Sequence, residues 1–244
     1  MKLVLLPGMD GTGGLFADFI AALRSEFDTL VVSYPRDSSL SYTELEQLAR
    51  SASPATEPFV LLAESFSTPV AIRWAASAPY NLRGVVLCAG FVSSPLRGWR
   101  RLAALSFGRI LFRLSPPSFV LRWLLIGRCA DSSLLAAIRE ALSEVKPDVL
   151  ATRLRSVLNC DERMSLRRLE LPVLFIRPTQ DRLIPDWSYE EIRSSNPTVE
   201  MIEVNGPHLI LQTSPMETAK IVCDFVRGNL GANVGHRGVG QRES

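Results

Sequence analysis

The chain has few of the residues that build metal centres and disulfide scaffolds. Its 244 residues include four cysteines and two histidines. Because the cysteines are far apart and form no C-x-x-C pair, we expect scattered, reduced thiols rather than a zinc site or a disulfide framework. They are Cys88, Cys129, Cys160 and Cys223. The sequence therefore predicts no metal site.

The sequence also lacks a long uninterrupted apolar run. Four apolar residues precede Pro7, which is too few for the hydrophobic region of a signal peptide. The most apolar later segment, residues 102–127, is interrupted by three arginines and a Pro-Pro pair, so it is not predicted to span a membrane. We therefore expect a cytoplasmic protein.

Acidic residues are absent from residues 65–130, although the formal net charge of the whole chain is only +2. That net charge is too small to predict nucleic-acid binding. The same stretch holds nine arginines, so positive charge is concentrated there. These are Arg73, Arg83, Arg97, Arg100, Arg101, Arg109, Arg113, Arg122 and Arg128.

Short apolar runs alternate with helix-like stretches along the rest of the chain. Continuous runs rich in Val, Leu, Ile and Phe are typical of strands buried on both faces of a parallel sheet. The runs are residues 3–6, 29–33, 59–63, 84–88, 173–177 and 199–204. The helical patterns between them cover residues 15–27, 42–51, 68–78, 188–194 and 216–228. This alternation predicts a doubly wound α/β domain.

One interval breaks the alternation, because only helical patterns lie between residues 88 and 173. They cover residues 98–114, 118–126, 133–145 and 147–159. We interpret this interval as a helical insertion over the carboxyl-end edge of the sheet, where open α/β sheets bind ligands. The expected division is a core of residues 1–91 and 167–229, an insertion of residues 92–166 and a flexible tail of residues 230–244.

A serine lies where the third predicted strand meets a helix, within the sequence AESFS of residues 63–67. A nucleophile elbow needs small residues two positions before and two after the nucleophile, and these are Ala63 and Ser67 rather than the usual glycines. The strand-to-helix context favours Ser65 as a nucleophile. The alternative interpretation of Ser65 is a serine that caps the helix.

The general base and its acid are predicted from chain order. His208 follows the last predicted strand, whereas His236 lies in the Gly-rich tail, so His208 is the candidate base. In α/β folds with a nucleophile elbow, the three residues follow one another along the chain as serine, then Asp or Glu, then histidine. Asp181 is the first acid after the fifth strand, and Asp186 is the alternative.

The Gly-rich loop after the first strand, PGMDGTGG in residues 7–14, can supply backbone donors to a developing oxyanion. We expect the backbone N–H groups of Met9 and Phe66 to form the oxyanion hole. A phosphate-binding loop is the competing interpretation. The glycines do not fit G-x-G-x-x-G, and no Gly-Lys-Ser/Thr follows.

With these residues in place, residues 1–229 resemble the α/β-hydrolase superfamily. The resemblance is carried by four blocks in order: PGMDGTG, AESFS, DRLIP and GPH. The first two blocks are similar, more loosely, to the branch of phytyl ester synthase-like acyltransferases. The resemblance implies an α/β-hydrolase fold with a helical cap in residues 92–166, and a Ser65–His208–Asp181 triad that needs no cofactor.

The cap combines many apolar side chains with seven of the arginines. They can be packing helices with solvated arginine ends, or an acyl-binding lid whose basic face contacts anionic substrates or lipid surfaces. The expected activity is hydrolysis of a small-molecule acyl ester through an acyl-Ser65 intermediate. Thioester hydrolysis or acyl transfer on the same triad, and a non-catalytic ligand-binding protein, are the alternatives.

Overall fold

Six parallel strands form the central sheet of the computed structural model, which describes residues 1–24, 26–114, 116–127 and 131–230. The strand order is β2-β1-β3-β4-β5-β6. The strands are β1 (Lys2–Leu6), β2 (Asp28–Val31), β3 (Phe59–Glu64), β4 (Leu82–Cys88), β5 (Val173–Pro178) and β6 (Glu200–Val204). Each paired strand is parallel to its neighbour. The carboxyl ends of β3, β5 and β6, which precede the predicted site residues, therefore meet at one edge.

Helices follow the strands and also fill the interval between β4 and β5. In chain order they are α1 (Ala17–Ala22), α2 (Tyr42–Ala52), α3 (Thr68–Ala76), α4 (Gly98–Arg113), α5 (Ser118–Leu121), α6 (Ser132–Ser143), α7 (Pro147–Leu158), α8 (Arg163–Arg167), α9 (Asp186–Ser195), α10 (Ile210–Thr213) and α11 (Pro215–Leu230). A π-helical turn, Arg122–Ile126, continues α5. The helix expected over residues 15–27 is shorter, because Arg24 takes a φ of 49°, a left-handed conformation that ends a helix.

The sheet is covered by helices on both faces, as the alternating directions of the β1 side chains show. Val4 and Leu6 pack in a core cluster with side chains of α2, α3 and α9. Leu3 and Leu5 point to the other face and join a cluster with side chains of α1 and α11. A sheet with apolar residues on both faces must be enclosed by two helical layers. The fold class expected from the sequence is confirmed.

The insertion leaves the core and returns to it through a short antiparallel neck. Ser93 and Asp161 form an isolated bridge, and Glu162 N donates to Val92 O at 2.7 Å. Beyond this neck lie α4–α7 and the π-helical turn. Helix α8 lies on the core side, where Leu166 is fully buried in the cluster that includes α3.

The tail expected over residues 230–244 lies outside the described residues, except for Leu230 at the end of α11. His236 and Cys129 also lie outside them. Among the described residues no helix combines the length and the apolar character needed to cross a bilayer. The three described cysteines, Cys88, Cys160 and Cys223, are free and buried.

Candidate active site

Ser65 lies at a strained corner between β3 and α3. Its φ is 47°, a conformation that is unfavourable for a residue with a β-carbon. Neighbouring hydrogen bonds hold the corner: Thr68 Oγ1 donates to Ser65 O at 2.9 Å, and Phe91 N donates to Thr68 Oγ1 at 3.1 Å. The surrounding hydrogen bonds thus maintain a strained backbone at Ser65, and a nucleophile elbow has such a strained turn.

The structure brings Ser65, His208 and Asp181 together in series. His208 Nε2 lies 2.8 Å from Ser65 Oγ, and His208 Nδ1 lies 2.8 Å from Asp181 Oδ2. The imidazole is 2% exposed and the Asp181 carboxylate 1%. The three side chains come from loops that follow β3, β6 and β5, so the parallel sheet positions them at one edge.

Asp181 is held by more donors than the sequence indicated. Its Oδ1 accepts the backbone N–H groups of Leu183 at 2.8 Å and Ile184 at 3.0 Å, and its Oδ2 accepts the hydroxyl of Tyr189 at 2.9 Å. Asp186, the alternative acid, is 84% exposed and pairs with Arg177. Asp181, and not Asp186, is therefore the carboxylate that contacts the imidazole.

Asp181 and His208 each favour the charged form of the other, despite the burial of both side chains. Burial alone raises the pKa of Asp181, but the charge and hydrogen bond of His208 and two backbone N–H groups outweigh it, and the pKa is lowered. Burial alone lowers the pKa of His208, but the charge and hydrogen bond of Asp181, with the charge of Glu64, raise it above its ordinary value. The site is electrostatically suited to an imidazolium beside a carboxylate.

Glu64, the residue before the predicted nucleophile, is a second buried acid that sequence reasoning gave no role. It is 2% exposed, and burial, with a smaller contribution from the charge of Asp10, raises its pKa to about 7 although Gln212 and the charge of His208 act to lower it. Its Oε1 has no hydrogen-bond partner among the described residues. A β-carbon on Gly8 would lie 3.6 Å from its Oε2, so the carboxyl packs beneath the Gly-rich loop.

The Gly-rich loop is joined directly to the elbow. Ser67 Oγ donates to Pro7 O and accepts the hydroxyl of Tyr34 at 2.7 Å. Ser67, which replaces the usual glycine, therefore contributes a hydrogen bond that glycine could not make. Phe66 lies in the first turn after β3, where backbone N–H groups have no intrahelical acceptor. The two predicted oxyanion donors, Met9 and Phe66, thus belong to segments that contact each other.

Arg153 of the insertion holds the same loop from the other side. It is 2% exposed, and its guanidinium donates to Met9 O at 2.7 Å, Asp10 O at 2.8 Å and Pro35 O at 2.8 Å. Gly11 has a φ of 70°, and a β-carbon there would come within 2.6 Å of Arg153 Nη1. Sequence reasoning missed Arg153 because a single arginine in a helical pattern carries no motif.

The insertion also contacts the loops that carry His208 and Asp181. Leu209 N donates to Leu125 O at 2.9 Å, next to His208. Arg182 donates to Trp123 O at 3.1 Å and lies 5.0 Å from the centre of its ring. Residues of α7 and the π-helical turn therefore lie over the edge where the three predicted site residues meet.

Comparison with known families identifies the fold family. Residues 3–221 match the model described as the alpha/beta hydrolase family. The chain belongs to this family. The family assignment confirms the superfamily resemblance in the sequence, and hydrolysis is the activity that it supports for the chain at this level.

Similar curated proteins include one named as an esterase and one named as an acetyltransferase. A pimeloyl-[acyl-carrier protein] methyl ester esterase of Xanthomonas oryzae is 28% identical over 223 residues, covering 84% of this hydrolase and 86% of the esterase. Ethanol acetyltransferase 1 of Wickerhamomyces ciferrii is 30% identical over 66 residues, which is 27% of this chain but only 17% of that enzyme.

Solved structures share the fold at low identity. A thermophilic esterase from Thermogutta terrifontis superposes with a TM-score of 0.79 at 16% identity, covering 93% of this hydrolase and 90% of that chain. At this identity the likeness shows the fold alone.

Arg153 generates a prediction about stability. Arg153→Met should lower the free energy of unfolding by about 2–4 kcal/mol, because three carbonyls around the buried guanidinium lose their donors. Arg155→Met, at an exposed position of the same helix, is the matched control and should change it by less than about 0.5 kcal/mol. Urea unfolding measures both, and equal values for the two variants would contradict the role of Arg153.

Glu64 generates a prediction about pH. Its folded pKa of about 7 lies above its ordinary 4.5, so its contribution to stability is fully present below pH 4.5 and is lost as pH rises through 7. Glu64→Gln stays neutral, so its stability relative to wild type should rise by on the order of 3 kcal/mol between pH 4.5 and pH 8.

Unfolding free energies measured across that range test this expectation. Glu200→Gln, which alters an exposed glutamate at the start of β6, is the control and should follow the wild-type curve. A constant difference between Glu64→Gln and wild type across the range would show that the buried carboxyl does not titrate there.

Proposed function

We propose that this hydrolase cleaves carboxylic esters through an acyl-Ser65 intermediate. The observation that carries the proposal is the unbroken series of contacts from Ser65 Oγ to His208 Nε2 and from His208 Nδ1 to Asp181 Oδ2, each 2.8 Å long. A serine hydroxyl is a weak nucleophile until a neighbouring base takes its proton, and the imidazole is at the distance needed.

In the proposed first step, His208 Nε2 accepts the Ser65 proton while Oγ attacks the ester carbonyl. The imidazolium then gives that proton to the leaving alcohol, and the acyl group remains on Ser65. In the second step a water molecule loses a proton to His208 and attacks the acyl carbon. The proton returns to Ser65, and the carboxylic acid is released. Asp181 stays ionised and holds the tautomer with its proton on Nδ1.

The backbone N–H groups of Met9 and Phe66 are proposed to bind the oxyanion of both tetrahedral intermediates. Two such donors in a buried site stabilise developing negative charge by a few kcal/mol. The hydrogen bond from Ser67 to Pro7 and the contacts of Arg153 support this role, because they fix the loop of Met9 against the elbow of Phe66.

The proposed substrate is a small-molecule acyl ester that enters beneath residues 92–166, which act as a cap. Neither nucleic acid nor a cofactor is part of the proposal, and the expected cytoplasmic location stays a prediction. The Xanthomonas relative, named as a methyl ester esterase, supports ester cleavage.

Acyl transfer is a second candidate, supported by the short match to an acetyltransferase and by the resemblance to phytyl ester synthase-like enzymes. Ser65 is only 9% exposed, so an alcohol held under the cap could compete with water for the same acyl-Ser65. Product analysis with added alcohol separates the two: free acid indicates hydrolysis, and a new ester indicates transfer. Acyl-thioesters tested beside p-nitrophenyl esters address thioester cleavage.

Replacement of Ser65 tests the central step. Ser65→Ala should lower kcat for p-nitrophenyl esters by at least about 10⁴-fold, because no nucleophile remains. A fluorophosphonate probe should label the wild type once per chain and leave the variant unlabelled.

Ser143→Ala, at an exposed position at the end of α6, serves as the control and should keep both activity and labelling. Circular dichroism verifies that Ser65→Ala is folded. Wild-type activity in a folded Ser65→Ala protein would contradict the proposed role of Ser65. A wild type that the probe does not label would favour the ligand-binding alternative.

The pH dependence tests the base. Only neutral His208 can accept a proton, and its pKa is raised, so kcat/KM should rise with pH through a midpoint above 6.5. Glu64→Gln removes a negative charge that raises this pKa, so its midpoint should lie at lower pH than in wild type. Glu200→Gln should leave the profile unchanged. A shift to higher pH in Glu64→Gln would contradict the assignment.

A further inference from the structure

The insertion carries several large apolar side chains that are more than half exposed. In α4, the spacing of Trp99, Leu102, Ile110 and Leu114 places them on one side of the helix. Two more exposed side chains lie one turn apart in α5 and the π-helical turn. Together these residues, here called the outer stripe, are Trp99 (74% exposed), Leu102 (64%), Ile110 (52%), Leu114 (76%), Phe119 (74%) and Trp123 (54%).

The opposite side of α4 already has its packing partner. Phe112 packs against the cluster of Val149 and Leu150 in α7, and Arg101 donates to Leu158 O at 2.8 Å. The outer stripe is therefore not the core-facing side of an ordinary amphipathic helix. Large exposed apolar side chains at helical spacing mark an interaction surface.

The charge around the outer stripe indicates what it contacts. Residues 98–127 contain five arginines and no acidic residue. Arg113 is exposed and, at its spacing from Ile110, lies on the same side of α4 as the outer stripe. Apolar side chains interleaved with arginines and free of acids are typical of helices that lie in the interface of an anionic bilayer.

We propose that the outer stripe docks on the surface of a bilayer that contains anionic phospholipid. Trp99 and Trp123 would enter the headgroup region, where tryptophan rings are favoured, and Arg113 would contact lipid phosphates. The 16 residues of α4 span about 24 Å, and the helix lies flat on the surface rather than crossing it.

A second copy of the chain fits this surface less well. In a two-fold dimer the outer stripe would face itself, so each basic surface would meet another basic surface without an acid between residues 98 and 127 to pair with it. Anionic lipid supplies both the apolar phase and the opposite charge. Docking does not depend on the proposed chemistry of Ser65.

Sedimentation with lipid vesicles tests the proposal on the full chain. Wild type should bind vesicles of phosphatidylglycerol and phosphatidylcholine at least about tenfold more tightly than vesicles of phosphatidylcholine alone, and added salt should weaken that binding. Ser65→Ala should bind like wild type, so failure of the esterase proposal and failure of docking are distinguishable.

Substitutions in the outer stripe locate the contact. The pair Leu102→Ser and Phe119→Ser should weaken binding to the anionic vesicles at least about tenfold, because two apolar side chains leave the interface. Arg113→Gln should weaken binding to anionic vesicles about threefold or more and leave binding to neutral ones unchanged. Met164→Ser and Met216→Ser, at exposed positions of α8 and α11, are the matched controls and should bind like wild type.

Brominated lipid supplies an independent signal. It should quench the fluorescence of wild type on anionic vesicles, and the quenching should be lost when Trp99 and Trp123 are both changed to Phe. The proposal is overturned if wild type fails to bind anionic vesicles, or if the outer-stripe variants bind as wild type does. A wild-type dimer in solution that the Leu102→Ser, Phe119→Ser pair dissociates would assign the surface to a second copy instead.

Discussion

The imidazole of His208 is buried between Ser65 and Asp181, and the rest of the site is arranged around that contact. Because the ring is 2% exposed, each ring nitrogen needs a partner inside the protein. Asp181 accepts from Nδ1, which leaves Nε2 to face the Ser65 hydroxyl. Asp181 is in turn fixed by two backbone N–H groups and by Tyr189. The orientation of the His208 ring is thus determined by the loop after β5 and by α9, and not only by its own loop.

Two buried acids lie near this imidazole, and their different environments give them different pKa values. Asp181 has several donors and a lowered pKa, whereas Glu64 has an oxygen without a donor and a pKa of about 7. Two charged carboxylates there would oppose the oxyanion that is proposed to form beside Met9. Because the pKa of Glu64 is about 7, its carboxyl is partly protonated near neutral pH, which reduces this opposition.

The sequence predicted the sheet and the meeting of Ser65, Asp181 and His208, because both follow from local patterns. Buried parallel strands read as apolar runs, and chain order in a parallel sheet fixes which loops share an edge. Tyr189, Arg153 and the paired hydroxyls of Ser67 and Tyr34 could not be predicted. Their contacts join residues that are distant in sequence or that have no characteristic spacing, and only the packing of complete helices determines which of them meet.

Arg153 explains how the insertion and the core act as one unit. A buried guanidinium held by three carbonyls, without a hydrogen-bonded carboxylate, carries a desolvation penalty that its contacts only partly offset. Its planar donors do, however, allow one relative placement of α7 and the loop of Met9. Any shift of α7 would break all three hydrogen bonds together. Helix α4 packs on α7 through Phe112 and Arg101. The π-helical turn is bonded to the loops of His208 and Asp181 through Leu209 and Arg182, so the insertion is joined to the core at several points besides Arg153.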